Sequence, residues 1–418
     1  MEYDVIVVGG GAAGLMAAVT AAGRGKHVLL LEKMDQAGRK LRITGKGRCN
    51  LTNTNALRDT LPHIGSDARF LRNAYGRFFN QQLMDFFEQR GVALTVERGN
   101  RVYPASGKAL DIFLSLMHEL EQNANVDIRK NTTVKSIETF EGQATAVILE
   151  RGERIACRHI VLATGGLSYP TTGSTGAGYR MARELGHTVV EPVPSLVPLK
   201  CAEKIPAELI GFQLKNVQLA LYEGSSNAPM FKSGVGEMIF VQDGLSGPIV
   251  LSASRIATRP LQSGQPLTAR LDLKPGLTPE QLDRRLLADL DQNGTRIFND
   301  ALRLWLPAEL IPLALPQLHI EYYKRLHQIT GDERRRLGRW LKGVEFTLTG
   351  THDWNEAIVT QGGVALGEVN PKTMESRLVS GLYIVGELLD LDADTGGYNL
   401  QTAFSTGYLA GISAAKTV

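Results

Sequence analysis

The sequence predicts an α/β fold: a Rossmann-like domain assembled from two separated parts of the chain, with a small β-barrel-like domain and a helical subdomain inserted between them. Three observations predict it. A β-branched run ends in a glycine turn near the N-terminus, Val5 to Gly14. A second apolar strand ends in Gly386-Glu387 near the C-terminus. Between them a proline-dense crossing, Glu191 to Pro198, leads into short alternating segments. The implied divisions are 1–194 and 352–418 for the two-part domain, 195–275 for the β-rich insertion, 276–342 for the helical subdomain and 343–351 for a strand returning to the β-rich part.

The N-terminal stretch DVIVVGGGAAGLMAAVTAAGRGKHVLLLE reads as strand, glycine turn, helix, strand, acid. Val5 to Val8 has the composition of a buried parallel strand, and Gly9-x-Gly11-x-x-Gly14 follows it at once. Gly9 permits the tight turn, Gly11 lets the backbone approach a pyrophosphate, and Gly14 lets the helix pack closely on the sheet. The small residues Ala17, Ala18 and Ala21 suit that packing. Ala12 and Ala13 open the helix and turn its free N–H groups and positive dipole end toward a phosphate. Glu32, followed by Lys33, closes the second strand and is placed to accept from a ribose hydroxyl, so an unphosphorylated adenosine ribose is expected. This motif alone does not separate FAD from NAD.

A chain of 418 residues exceeds one ordinary core, which fits the division into parts. Hydrophobic residues make up 43% and charged residues 21%, as in an ordinary globular protein, and a net charge of +3 neither demands nor excludes a nucleic-acid partner. The three cysteines, Cys49, Cys157 and Cys201, are far apart and form no CxxC pair. That spacing argues for a reducing compartment and against a metal site or a redox disulfide. Any redox reaction then passes directly between cofactor and substrate. Val5 to Gly23 lacks charge, but its glycines sit in a turn, so neither a membrane span nor a targeting segment is read there and a cytoplasmic location is expected.

The next informative stretch is GRKLRITGKGRCNLTN, Gly38 to Asn53, with five cations (Arg39, Lys40, Arg42, Lys46, Arg48) among glycines and hydroxyl or amide side chains. Such a loop suits an anionic, hydrogen-bonding ligand, with a solvated basic loop as the alternative. It resembles the GRKxxxSGxGRCNxTN signature of the BaiN/RdsA-like family of FAD-dependent oxidoreductases, which includes aminoacetone oxidases, a bile-acid-operon flavoprotein and ribosomal RNA dihydrouridine synthases. The resemblance implies cofactor contacts from Arg39, Lys40, Thr44, Gly45, Arg48, Cys49 and Asn50. Thr44 stands where relatives commonly carry Ser and keeps the hydroxyl.

Residues 70–150 read as a mixed insertion in the same domain. Asn80 is expected to cap a helix with Leu83, Phe86 and Phe87 on its apolar face, and Gly91 to stop it. A second helix after Ser106 is expected to bury Leu110, Phe113, Leu114, Met117 and Leu120 as one stripe. Asn131 to Ile137 and Ala144 to Cys157 alternate as antiparallel strands, with Val134 among the expected cofactor contacts. The strand His159 to Gly166 ends in Ala163-Thr164-Gly165, small residues that let the chain pass beside a dinucleotide. Thr171 to Gly178 reads as a glycine-rich turn opening a helix, or as a second phosphate loop.

From Leu199 to about Leu273 the alternation suggests a small antiparallel sheet or barrel. Gly244 to Pro248, GLSGP, resembles another family motif; Val241-Gln242 precedes it where relatives often carry Thr-His, so no acid or base role is assigned there. Thr278 and Pro279 start a helix with Leu282, Leu286 and Leu290 on one face. The last helix of this part, DERRRLGRWLK, carries Arg334, Arg335, Arg336, Arg339 and Lys342, which read either as a contact face for ribosomal RNA or as a solvated helix face.

The far end decides the cofactor. A strand ending in Gly386-Glu387, followed by a glycine-rich helix start at Gly397, Tyr398, Asn399 and Leu400, suits FAD, whose ribityl chain and flavin need a second, distant wall. Gly386 allows close passage, Glu387 is placed to bond the ribityl chain, and the helix N-terminus aims a positive dipole end at the flavin pyrimidine edge. No second strand-linked GxGxxG is present, so NAD(P)H is expected as a transient reductant. The leading expectation is transfer of hydride from NAD(P)H through FAD to an unsaturated C=C or C=N substrate, either a small molecule or, by the resemblance, a uridine of ribosomal RNA. The alternatives are an aminoacetone-type amine oxidase using O2 and an RNA-binding factor with structural FAD. Candidate catalytic groups are Arg48, Cys49, Asn50 and Gln361, the last in a Thr360-Gln-Gly-Gly-Val364 turn.

Overall fold

The computed structural model describes residues 3–65 and 67–416, and the chain divides into two compact units, Met1–Pro194 with Ala357–Val418, and Ser195–Glu356. In the first unit β1 (Tyr3–Val8) runs into α1 (Ala12–Ala22), and β2 (Val28–Leu31) returns parallel to β1. All four side chains of β2 are buried, as a strand covered on both faces requires. The helix α2 (Arg39–Ile43) and the longer α3 (Ala109–Glu121) follow. Then come β3 (Val126–Arg129), β4 (Val134–Phe140), β5 (Gln143–Leu149) and β6 (Arg154–Leu162).

The sheet order is β3-β2-β1-β6-β5-β4, and the strand Leu382–Ile384 also pairs with β6. β6 serves both halves of the sheet. Its first residues pair antiparallel with β5, while Cys157 to Leu162 run parallel to β1. The strand ends that matter, Val8, Leu31, Leu162 and Ile384, are therefore brought side by side by parallel registers.

Two expectations in this unit shift. Asn80 is the first residue of its helix, Asn80–Glu88, and not its cap; its amide nitrogen instead donates to the carbonyls of Asn53 and Asn55, at 2.8 and 2.9 Å. On α3 the buried face is Ala109, Ile112, Leu116, Met117 and Leu120, whereas Leu110 and Leu114 are exposed. The helix has two overlapping apolar stripes, and the core takes the one containing Ile112 and Leu116.

The second unit contains a closed antiparallel barrel. Gln213–Glu223 pairs with Gly236–Val241, then in turn come Gly244–Ser246, Leu199–Cys201, Val344–Thr351 and Leu267–Asp272, which pairs back to Gln213–Glu223. Closure leaves no free edge among these strands. The run expected to be all strand also holds the helix Pro248–Gln262, with Pro248 in its first turn and Val250, Ala253 and Ala257 buried. Helices Pro279–Gln292 and Gly331–Lys342 bury Leu282, Leu286, Leu337 and Leu341 in the same core as the barrel residues Leu219, Phe240 and Phe346. The barrel and the helical segment are one packing unit.

The helix face expected to offer five cations offers fewer. Arg334 donates to Asp283 at 2.8 and 3.1 Å, Arg336 to the carbonyls of Leu318 and His319, and Lys342 to the carbonyls of Lys274 and Leu277. Lys342 also lies 2.5 Å from Asp272, and Arg335 pairs with Asp332 one turn away. Arg339 is exposed and has no ionic partner among the described residues.

Candidate functional site

The glycine turn is built as its spacing requires. Gly9 has φ of 105°, and a Cβ there would lie 2.5 Å from the Ala163 carbonyl oxygen. A Cβ on Gly14 would lie 1.9 Å from the Gly9 carbonyl oxygen, so the helix can meet the turn only through glycine. Gly11 differs. A Cβ there would meet nothing within 4 Å, and Gly11 caps α1 without any side-chain bond, so space is open beside Gly11 at the helix N-terminus, while Ala13 is buried. Glu32 is buried and braces this turn, its oxygens accepting from Gly10 N–H at 2.9 Å and Met34 N–H at 2.8 Å. A carboxylate has about four acceptor positions, so a ribose hydroxyl can still be received. Lys33 donates to the Thr175 hydroxyl at 2.6 Å, and burial lowers its ammonium pKa.

The end of β6 forms the second wall. Ala163 is buried against the turn, and Gly165 takes φ of 72°. The Thr164 hydroxyl is buried with no hydrogen-bond partner among the described residues, which marks a place for a polar ligand atom. A Cβ on Gly178 would sit 1.9 Å from that hydroxyl oxygen. Val134, buried at the start of β4, adjoins the segment where Thr132 N–H reaches the Glu32 carbonyl at 2.9 Å.

The basic loop meets the C-terminal part at two points. Lys40 Nζ donates to Glu387 Oε2 at 2.6 Å and to the Ser168 hydroxyl. Glu387 Oε1 accepts from Ser168 at 2.7 Å and from Thr360 N–H at 2.8 Å. Burial pushes the Glu387 carboxyl up, but Lys40 and these donors outweigh it and hold the pKa below the usual range, so the pair is ionised. Farther on, the Asn50 amide, oriented to suit its neighbours, accepts from Gly397 N–H at 3.0 Å and donates to the Thr52 carbonyl at 3.2 Å. This fixes the loop to the N-terminus of the C-terminal helix, Tyr398–Ala414.

The remaining loop residues have local work. Arg39 pairs with Asp35, the Thr44 hydroxyl donates to the Leu41 carbonyl at 2.6 Å, and Gly45 has φ of 57°. Arg48 is exposed, pairs with Glu97 and lies 4.4 Å over the Tyr103 ring. Cys49 is fully buried, and burial pushes its thiol up to about 12, so it is neither a thiolate nor a reachable nucleophile at neutral pH. Gln361 sits in the strand Val359–Val364, next to Thr360, whose hydroxyl accepts from Leu167 N–H at 2.8 Å.

At the C-terminal wall, Gly386 has φ of 68° and a Cβ there would lie 2.9 Å from the Ala13 Cβ, so this passage runs against the start of α1. The Tyr398 hydroxyl accepts from Asn55 at 3.0 Å, and Asn399 bonds the backbone of Ala393 in both directions. Leu400 packs partly buried against the core. These side chains hold the helix start in place. Three contributors escaped sequence reading: Ser168, and the glycines Gly407 and Gly411, whose absent Cβ atoms would strike the carbonyl oxygens of Ala13 at 2.2 Å and Ala17 at 2.6 Å. The four-residue spacing of two glycines on one helix was the available signal.

The turn, the open helix N-terminus, the unpartnered Thr164 hydroxyl and the tight passage at Gly386 fit a bound dinucleotide. Among the described residues no group of His, Cys, Asp or Glu could hold a metal ion, and no helix is long and apolar enough to cross a membrane.

A family model described as HI0933-like protein Rossmann domain matches residues 3–413. The chain is 34% identical over 412 residues to the 3-dehydro-bile acid delta(4,6)-reductase of Clostridium scindens, covering 98% of each. It is 30% identical over 416 residues to the ribosomal RNA dihydrouridine synthase of Haemophilus influenzae, again covering 98% of each. Among solved structures, 3-ketosteroid delta1-dehydrogenase from Sterolibacterium denitrificans shares the fold, with a TM-score of 0.52, 14% identity and 99% of each chain covered. With the match spanning both parts of the Rossmann unit and the insertion between them, the chain belongs to the HI0933-like Rossmann family of flavin-dependent oxidoreductases.

Proposed function

We propose that the protein is an FAD-dependent reductase that takes hydride from NAD(P)H and delivers it to a C=C bond conjugated with a carbonyl. The observation that carries this is the full-length similarity to two enzymes whose names describe one bond change, a delta(4,6)-reductase acting on a 3-dehydro compound and a dihydrouridine synthase. In both an alkene conjugated to a carbonyl gains two hydrogens.

FAD, when bound, supplies the hydride-carrying ring. The chain supplies the surroundings. The N-terminus of α1, with the open space before Gly11, is suited to the pyrophosphate, Glu32 and Thr164 to hydroxyl groups, and the ionised Lys40–Glu387 pair to the polar middle of the cofactor. Hydride addition at the β-carbon would place negative charge on the substrate carbonyl oxygen, toward which the Gln361 amide is the candidate donor, and a proton from water at the α-carbon would complete the gain of two hydrogens. Cys49 is left out of the chemistry because its thiol stays protonated in the core.

A ribosomal uridine is the second form of the same reading, favoured by the two dihydrouridine synthases at 30% and 29% identity. Arg339 is then the cation of its helix best placed for RNA, since Arg334 and Lys342 are engaged with acids.

The deciding experiment is anaerobic stopped-flow reduction of the yellow protein by NADPH and by NADH, followed by mixing with O2, a conjugated enone steroid or ribosomal RNA. Fast reduction, slow reaction with O2 and rapid reoxidation by the enone or the RNA are expected. Bleaching by an amine with rapid recovery in O2 would overturn the reading in favour of an oxidase. RNA binding with no reduction by either nucleotide would leave a binding factor with structural FAD.

A further inference from the structure

The second apolar stripe of α3 is not covered. Leu110 and Leu114 are 39% and 50% exposed, and with Phe113, Met117, Gln36 and Ala37 they line an open cavity of about 460 Å³. This lies in the range of small-molecule sites, ~300–1,000 Å³. The rim is cationic: Arg42 and Lys130 both line it, and neither has a carboxylate partner among the described residues. Arg42 is held in place by Gln36 Oε1 at 2.5 Å and by the Phe113 ring, 5.7 Å below its guanidinium. His118 and the acid Glu121 also line the cavity.

An apolar lining that carries Arg42 and Lys130 against the one acid Glu121 is complementary to an amphipathic anion, an apolar body ending in a carboxylate or sulfonate. We infer that this cavity is a second ligand site for such an anion, separate from the dinucleotide site. It is also joined to the phosphate turn. Phe113 fills the place of a Gly38 side chain, its Cδ2 only 2.3 Å from where a Cβ would be, and Gly38 N–H donates to the Gly10 carbonyl at 2.8 Å. A ligand that shifts Phe113 presses on the segment that starts α2 and carries Arg39 and Lys40.

The test uses the full-length holoprotein and 8-anilinonaphthalene-1-sulfonate as the probe, read by fluorescence and by calorimetry. One saturable site per chain is expected. Leu114→Glu and Lys130→Glu each weaken it by about tenfold, since either the loss of one apolar contact with the probe or the reversal of one contacting charge is worth that factor. Both positions are exposed, so both variants fold, and the flavin spectrum reports this directly. Phe140→Asp, at an exposed apolar residue elsewhere, binds the probe as the parent does. Unsaturable binding, or wild-type affinity in both cavity variants, overturns the inference. So does a dimer in sedimentation that Leu114→Glu dissociates, which would make the groove a contact between copies. None of these outcomes depends on turnover, so the reductase reading stands or falls separately.

Discussion

Lys40 and Glu387 stand 347 positions apart in sequence and meet at 2.6 Å, joining the basic loop to the C-terminal wall of the candidate site. Their side chains keep 22% and 20% of their surface exposed. Removing one partner strands the other charge, which costs more than the pair itself contributes. Lys40→Met is therefore expected to lose about 3 kcal/mol of stability, and Lys40→Met with Glu387→Gln to recover part of it. The pH dependence should reverse. In the parent the Glu387 pKa is lowered, so its contribution is complete above the ordinary value of 4.5 and is lost as pH falls through the lowered folded value. In Lys40→Met burial dominates and raises the pKa, so that variant gains stability toward acid. Melting temperatures from about pH 4 to 7 decide it, and parallel profiles would show that Lys40 does not set the Glu387 pKa.

Cys49 is expected to be dispensable for chemistry. Its thiol is buried and pushed up to about 12, and its φ of 59° reflects a turn that Ala adopts at the same cost. Cys49→Ala should cost about 1 kcal/mol from lost packing and leave turnover unchanged. A large fall in turnover with a normal flavin spectrum would return Cys49 to the reaction.

Buried His187 tests a second acid-sensitive point. One ring nitrogen lies 3.1 Å from Glu368 Oε2 and the other 2.9 Å from the Ser376 hydroxyl, and Ser376 Oγ also accepts from Leu378 and Val379 N–H. The arrangement ties three loop segments together. Burial lowers the His187 pKa below 6.5 despite the carboxylate, so its contribution is full above 6.5 and declines as pH falls below it. The stability difference between the parent and His187→Gln should shrink below about pH 6.5, by at most ~1.4 kcal/mol per pH unit. A difference that does not change with pH would mean that folding leaves the His187 pKa unshifted.

What was legible in the sequence was local or periodic. Gly9, Gly11 and Gly14 follow a buried strand at fixed spacing, and Thr278-Pro279 declare a helix start that the structure shows as a reciprocal cap with Gln281. What stayed hidden depended on partners remote in sequence. The cations of Gly331–Lys342 are visible, but nothing near them shows that Asp283 and Asp272 will take Arg334 and Lys342. Glu32 was legible as an acid closing β2, but not as a brace for Gly10 N–H. On α3 both apolar stripes have helical spacing, and only the surrounding packing decides that Ile112 goes inward while Leu114 does not. The helix Pro248–Gln262 was masked by its polar residues and by Pro260, tolerated near its end.

Arg339 gives the RNA form of the proposed function a narrow test. Reversing Arg336 would break its bonds to the Leu318 and His319 carbonyls, so loss of binding there would not separate contact from misfolding. Arg339 is exposed and carries no such duty. Arg339→Glu should weaken binding of a ribosomal RNA fragment, lower the salt slope by about one and leave flavin reduction by NADPH intact. Unchanged affinity and slope would remove this helix from any RNA interface.

Gly11 and Gly14 separate cofactor binding from folding within one motif. At Gly14 a Cβ would stand 1.9 Å from the Gly9 carbonyl oxygen, a backbone atom that cannot yield, so Gly14→Ala should destabilise the whole unit by about 3 kcal/mol or more. At Gly11 the φ of −80° suits any L residue and a Cβ meets nothing within 4 Å, so Gly11→Leu should fold normally. The added side chain would nevertheless fill the space before the α1 N-terminus, where a pyrophosphate has to lie for the free N–H groups to reach it. Gly11→Leu is therefore expected to purify colourless with a melting temperature matching that of the cofactor-free parent, whereas Gly14→Ala melts early whatever its colour. A yellow Gly11→Leu would move the pyrophosphate away from this turn, and with it the assignment of Glu32 and Thr164 to the same ligand.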